Sequence, residues 1–200
     1  MFRLHCVIDV VVLASGAGSL TGALLAAQRQ AELRAHVVAV VADKLAPVLD
    51  VAAAVGVPTR LVRPSDYASR AAWDVAMADA VAEFAPDLVV SAGFMRLLGA
   101  DFLARWGQST INTHPSMLPA FPGAHAVRDA LAAGVAATGC TVHKVTADMD
   151  AGPILAQRVV PVQPGDDQAS LHERIKVVER TQLVDVVNQI ADGEIVLAGL

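Results

Sequence analysis

The densest chemistry in this chain lies at Asn112-Thr113-His114-Pro115. Residues two apart on a strand project from the same face, so Asn112 and His114 would point together if the strand reaches that far. An imidazole can move a proton, and a carboxamide N–H can hold a developing oxyanion. The pair therefore suits attack on a carbonyl carbon. Read alone, it better describes a histidine satisfying loop carbonyls and an asparagine bonding its own turn. Asp148-Met149-Asp150-Ala151-Gly152-Pro153 is a second candidate. Acid-Gly-Pro clusters mark turns, yet an aspartate beside His114 would hold its imidazolium.

Ser15-Gly16-Ala17-Gly18-Ser19 is a third candidate, lying between an apolar run and a helix-forming segment. Glycines permit a sharp turn, and the free N–H groups of the next helix make an anion site that suits a phosphate. Thr21 stands where a dinucleotide fingerprint needs its third glycine, and no Gly-Lys-Ser/Thr follows. A plain strand-to-helix turn explains the loop equally well. Residues 92–98, Ala-Gly-Phe-Met-Arg-Leu-Leu, are a fourth candidate. They either line an apolar slot for a flat ring or simply begin the next helix. His125 and His143 are further polar candidates, each fitting a loop or strand histidine better than a ligand. No His-Glu-x-x-His spacing is present, so no metal is expected.

These segments need a frame. Residues 10–14 and 36–42 are apolar runs fit for strands buried on both faces. Residues 59–63, 87–92 and 109–112 read as further strands. Helices are expected at 20–30, at 46–55, within 65–85 and at 126–133. Gly56 and Pro58 stop the second, and Pro86 closes the third. Pro115, Pro119, Pro122 and Gly123 force a restricted loop over 114–123. Residues 140–145 and 154–160 look like two strands around a turn at 148–153. A last helix starts at Asp166 or Asp167, with Leu171, Ile175, Val178, Val186 and Ile190 along an apolar stripe. The alternation predicts an α/β fold: a Rossmann-like, open, mainly parallel sheet with helices on both faces. No repeat or linker divides the chain, so residues 1–200 are read as one domain, with residues 1–9 as a leader, ordered or disordered.

Composition bounds the function. The chain has 200 residues, 54% of them hydrophobic and 18% charged, enough apolar material for a sizeable core. The formal net charge of −5 and the absence of basic blocks argue against a nucleic-acid surface. Cys6 and Cys140 make neither a disulfide framework nor a zinc motif, so a reducing cytoplasm is the default. The apolar start is interrupted by Asp9 and lacks a cleavage site, and no run of about 20 apolar residues predicts a membrane span.

Taken together and in order, these segments resemble the folate-dependent formyltransferases and, among them, the glycinamide ribonucleotide formyltransferase family. The resemblance covers residues 11–192. It rests on Ala92-Gly93-Phe94-Met95-Arg96, on Asn112-Thr113-His114-Pro115-Ser116-Met117-Leu118-Pro119, on Phe121-Pro122-Gly123 and on Asp150-x-Gly152-Pro153-Ile154. It implies transfer of a formyl group from 10-formyltetrahydrofolate to the amine of 5'-phosphoribosylglycinamide, in purine biosynthesis, without a metal. The family's catalytic trio falls on Asn112, His114 and Asp150. Its ribonucleotide phosphate loop falls on Gly18, Ser19 and Leu20, where the usual Gly-Ser-Asn reads Gly-Ser-Leu; a ribose-contacting glutamate matches Glu179. Its folate slot falls on Arg70, on Met95, Arg96, Leu97 and Leu98, on Asn112, and on Val145, Thr146, Ala147, Asp148, Met149 and Asp150. The partners implied are small molecules, with no nucleic acid and no membrane, and the family is compatible with a homodimer that no motif fixes.

Rival readings leave more unexplained. A methionyl-tRNA formyltransferase adds a C-terminal tRNA domain, and a formyltetrahydrofolate deformylase adds an N-terminal regulatory domain and lacks this type of glycine loop. A nicotinamide-binding oxidoreductase would use Gly16 and Gly18 for pyrophosphate and Asp43 for ribose, but leaves Asn112, His114 and Asp150 idle. A non-catalytic folate or nucleotide binder would not need the trio.

Overall fold

A computed structural model describes residues 7–200. Seven strands form one sheet in the order β3-β2-β1-β4-β5-β6-β7. They are β1 (Ile8–Ala14), β2 (Ala35–Ala42), β3 (Thr59–Leu61), β4 (Leu88–Ser91), β5 (Thr110–His114), β6 (Ala137–Lys144) and β7 (Ile154–Pro161). The first five are parallel, whereas β6 and β7 run antiparallel to their neighbours. Among the described residues six α-helices connect or cover them: α1 (Ser19–Arg29), α2 (Pro47–Ala53), α3 (Arg70–Ala82), α4 (Ala100–Trp106), α5 (Ala126–Ala132) and α6 (Gln168–Ala191).

Strand β1 shows why the sheet is covered twice. Val10, Val12 and Ala14 pack with α1, α2 and α6 on one face, while Val11 and Leu13 pack with α3 and α4 on the other. The register between β1 and β2 slips after Val10, so Val37 and Val40 reach the same face although they stand three positions apart. Helix α6 starts cleanly because Asp167 accepts from Ser170 N while the Ser170 hydroxyl accepts from Asp167 N.

Several expectations need correction. Strand β1 begins at Ile8, not Val10: Ile8 and Asp9 pair with Ala35 and His36, and Asp9 N donates to the Asp87 carboxylate at 2.8 Å. The expected leader therefore loses residues 8 and 9 to the sheet, and its residues 1–6 lie outside the described ones. Strand β6 starts at Ala137, three residues early, because it pairs with β7 as far as Pro161. Residues 92–98 do not begin a helix; α4 starts only at Ala100.

The parallel order places β1 beside β4, with the chain leaving β1 toward β2 on one side and β4 toward β5 on the other. Loops after β1, β4 and β5 thus meet at one edge, at the point where an open α/β sheet leaves a crevice.

Candidate active site

Strand β5 extends through His114, so Asn112 and His114 share a face, and Thr113 turns to the opposite one. The antiparallel partner sets His143 of β6 directly across from Asn112. The Asn112 amide nitrogen lies 3.1 Å from His143 Nε2. His143 Nδ1 donates to the Lys144 carbonyl at 2.9 Å. That bond puts a ring hydrogen on Nδ1; in the neutral ring Nε2 is then left to accept from Asn112, and in the charged ring it turns donor toward Asp150. Among the described residues, the second amide hydrogen of Asn112 has no protein acceptor.

Asp150 closes the cluster. Its Oδ2 lies 3.5 Å from His114 Nδ1 and accepts from Gly123 N at 2.7 Å, while Oδ1 is 3.6 Å from His143 Nε2. Burial raises the affinity of this carboxyl for its proton. Hydrogen bonds from His143 and Gly123 and the charges of both histidines outweigh that, holding the carboxyl below the ordinary aspartate range. His114 Nε2 donates to the Phe121 carbonyl at 2.8 Å. Both ring nitrogens of His114 therefore face oxygen acceptors, an arrangement that the doubly protonated ring satisfies fully. Asp150 and Phe121 both sit at positive φ, 53° and 56°, conformations that L-residues rarely adopt and that cluster at functional sites. Gly152 is required nearby, since a Cβ there would stand 1.8 Å from the Lys144 carbonyl oxygen.

Beside this cluster opens a mostly apolar cleft of about 190 Å³. Phe94, Met95, Arg96, Leu97 and Leu98 line one wall, and Val145, Thr146, Asp148, Met149 and Asp150 line the other, with Asn112 and His143 between them. Of the expected slot residues, Ala147 and Arg70 are not among the lining. Arg70 turns to the Leu97 carbonyl and lies 4.6 Å over the Trp73 ring. His114 is buried just behind, reaching the cleft through Asp150.

The glycine loop lies apart, at the end of β1. Gly18 precedes α1 at φ 80°, and a Cβ there would meet Val48 Cγ2 at 2.8 Å, so glycine is demanded twice over. No side chain caps this helix start, which leaves its first N–H groups pointing outward. Leu20 turns its side chain into the core. A change of side chain there leaves its backbone N–H in place. Glu179 is buried on α6, away from the cleft, facing Thr113 and Cys140. Burial pushes its carboxyl up to about 7, against the opposing pull of the Thr113 hydroxyl and Lys176.

The sequence reading missed His143 and the backbone groups of Phe121 and Gly123. No local pattern marks His143; only the β5–β6 register brings it to Asn112. Asp43, weighed as a ribose acid, is buried and bound to Arg96 Nε at 2.5 Å.

Residues 8–187 match the family model described as formyl transferase. The chain is a member of the formyl transferase family. This formyl transferase is 54% identical over 190 residues to the phosphoribosylglycinamide formyltransferase of Mycobacterium tuberculosis, covering 95% of this chain and 88% of the relative. It is 41% identical to part of the human trifunctional purine biosynthetic protein adenosine-3, covering 94% of this chain and 19% of that protein. The crystal structure of glycinamide ribonucleotide transformylase 1 from Symbiobacterium toebii superposes with a TM-score of 0.94 at 39% identity, covering 99% of this chain and 93% of that one.

Proposed function

We propose that this formyl transferase moves the formyl group of 10-formyltetrahydrofolate to the amine of 5'-phosphoribosylglycinamide, a step of purine biosynthesis. The observation that carries the reading is the convergence of Asn112, His114, His143 and Asp150 beside an apolar cleft, with a separate glycine anchor at the same sheet edge. In it, the folate ring occupies the cleft between residues 94–98 and 145–150. The phosphate sits at the N–H groups of Gly18, Ser19 and Leu20; Glu179, which the resemblance sets at the ribose, is buried against Thr113 and Cys140.

The amine lone pair attacks the formyl carbon, forming the new C–N bond and an oxyanion. The free N–H of Asn112 donates to that oxygen, an interaction typically worth about 3–4 kcal/mol of barrier. His114, whose own N–H groups are held by Phe121 and Asp150, adds positive charge close behind. Collapse breaks the bond from carbon to folate N10 and leaves the electron pair on that nitrogen. The proton lost by the amine balances the one gained by N10, and Asp150, held against His114, is placed to position a water that carries it. Two anchors flanking one small centre also supply orientation, worth roughly 7–11 kcal/mol in favourable cases.

The compartment in this reading is the cytoplasm; among the described residues no helix is long and apolar enough to cross a membrane. The assembly is read as a homodimer, for which exposed Ile154 and Val159 on the edge strand β7 offer apolar surface. Incubation with formyl-labelled folate tests the activity. Label appearing in the ribonucleotide supports it, whereas label released as free formate points to a deformylase.

A further inference from the structure

The wall of the cleft formed by residues 92–98 is tied from behind at every second position. The Phe94 ring stacks on Trp73 at 6.4 Å between centroids and 6° between planes. Arg96 turns back to Asp43, and its guanidinium carbon lies 5.9 Å from the Trp73 centroid. Leu98 is buried in the same core. The alternate side chains, Met95 and Leu97, face outward and are 71% and 56% exposed. Backbone ties complete the set: Met95 N donates to Ser15 Oγ at 2.9 Å, and Arg70 donates to the Leu97 carbonyl. Trp73 is itself fixed, its ring N–H donating to the Val62 carbonyl at 2.8 Å.

Among these ties the Asp43–Arg96 pair is the charged one with a buried partner. Asp43 is 2% exposed, Arg96 Nε lies 2.5 Å from its Oδ2, and among the described residues Oδ1 has no hydrogen-bond partner. A buried carboxylate with one cation against it holds that cation firmly, because separation leaves a charge stranded in the core. Asp43 follows β2, on the far side of β1 from the loop it restrains. It has no place in the catalytic cluster.

We infer that Asp43 is a positioning residue for the folate wall: through Arg96 and the Trp73 stack it sets where residues 95–98 stand. This rests on reading the cleft as the folate slot. The function it gives Asp43 is selective. Wall displacement weakens binding of a flat ring directly and reaches the glycine loop through Ser15, ahead of the Gly18–Leu20 N–H groups that hold the phosphate in this reading.

The test is calorimetric binding of 5-formyltetrahydrofolate and, separately, of phosphoribosylglycinamide to the full chain. Asp43→Ala is expected to weaken the folate about tenfold and the ribonucleotide less than about twofold. Asp43→Asn keeps the shape and one acceptor for Arg96 but removes the charge, so it is expected to weaken the folate about threefold with the ribonucleotide unchanged, and decides the matter if Asp43→Ala fails to fold. Asp43→Ala combined with Arg96→Ala is expected to be about as weak as Arg96→Ala alone, the sign of one coupled unit. Unchanged folate binding in both Asp43 variants, equal weakening of both ligands, or full additivity with Arg96→Ala would overturn the inference while leaving the slot assigned. Wild-type protein that binds no reduced folate would overturn the slot and the inference together.

Discussion

At the end of β1 the chain presents backbone; at the end of β5 it presents side chains. The glycine loop offers first-turn N–H groups of α1, with no side-chain cap and with Leu20 turned into the core. The cluster around Asp150 offers an amide, two imidazoles and a carboxylate, each oriented by the next. Both regions depend on positive φ. At Gly18 that conformation is cheap, whereas Asp150 and Phe121 adopt it despite their side chains. A site that only holds an anion can be built from geometry that many sequences supply. A site that stabilises a changing charge needs particular groups in particular protonation states.

The sharpest way to break this contrast is to remove the side chains at the β5 end. His114→Ala and Asp150→Asn are each expected to lower kcat by roughly 10²–10⁴ while the fold survives. Near-normal turnover of either purified variant would remove the role assigned to it. Asn112→Ala is expected to cost about 10²–10³ in kcat with a small change in KM, the mark of a contact made in the transition state. A loss confined to KM would make Asn112 a binding group instead.

Gly18→Val probes the other region. Its Cβ collides with Val48 and its φ is strained, so ribonucleotide KM is expected to rise about tenfold with a far smaller change for folate. Equal losses on both substrates would move the phosphate site elsewhere.

The smallest expected effect concerns Glu179, buried on α6 against Thr113 and Cys140. Its folded affinity for a proton is raised, to about 7 from an unfolded value of 4.5. Its contribution to stability is therefore complete below about 4.5 and is lost as pH rises through about 7. Glu179→Gln is expected to flatten the decline of thermal midpoint across that window, a difference of at most about 3 kcal/mol. Asp150 acts oppositely: its lowered value makes a contribution present above the ordinary aspartate range and lost only on stronger acidification. Parallel pH profiles for wild type and Glu179→Gln would mean that Glu179 is not the buried acid responsible.

The same contrast explains what was legible in the sequence. Val10–Ala14 and the run at 36–42, apolar from Val37 onward, announced buried parallel strands because both faces are covered. Asn112 and His114 were readable as a pair because the strand period is local. His143 was not, since its importance comes from a register set across the sheet. Ile8 and Asp9 read as leader in the sequence because a charged residue blurs the apolar run; Asp87 and β2 hold them in the sheet. Arg70 carried a folate role by resemblance, yet its guanidinium is engaged with Leu97 and Trp73.

The central claim is tested most directly by following tetrahydrofolate formation from 10-formyltetrahydrofolate spectroscopically, with and without phosphoribosylglycinamide. The account predicts turnover that requires the ribonucleotide and collapses in Asp150→Asn. Folate release at the same rate without the ribonucleotide, or no turnover in its presence, would contradict it.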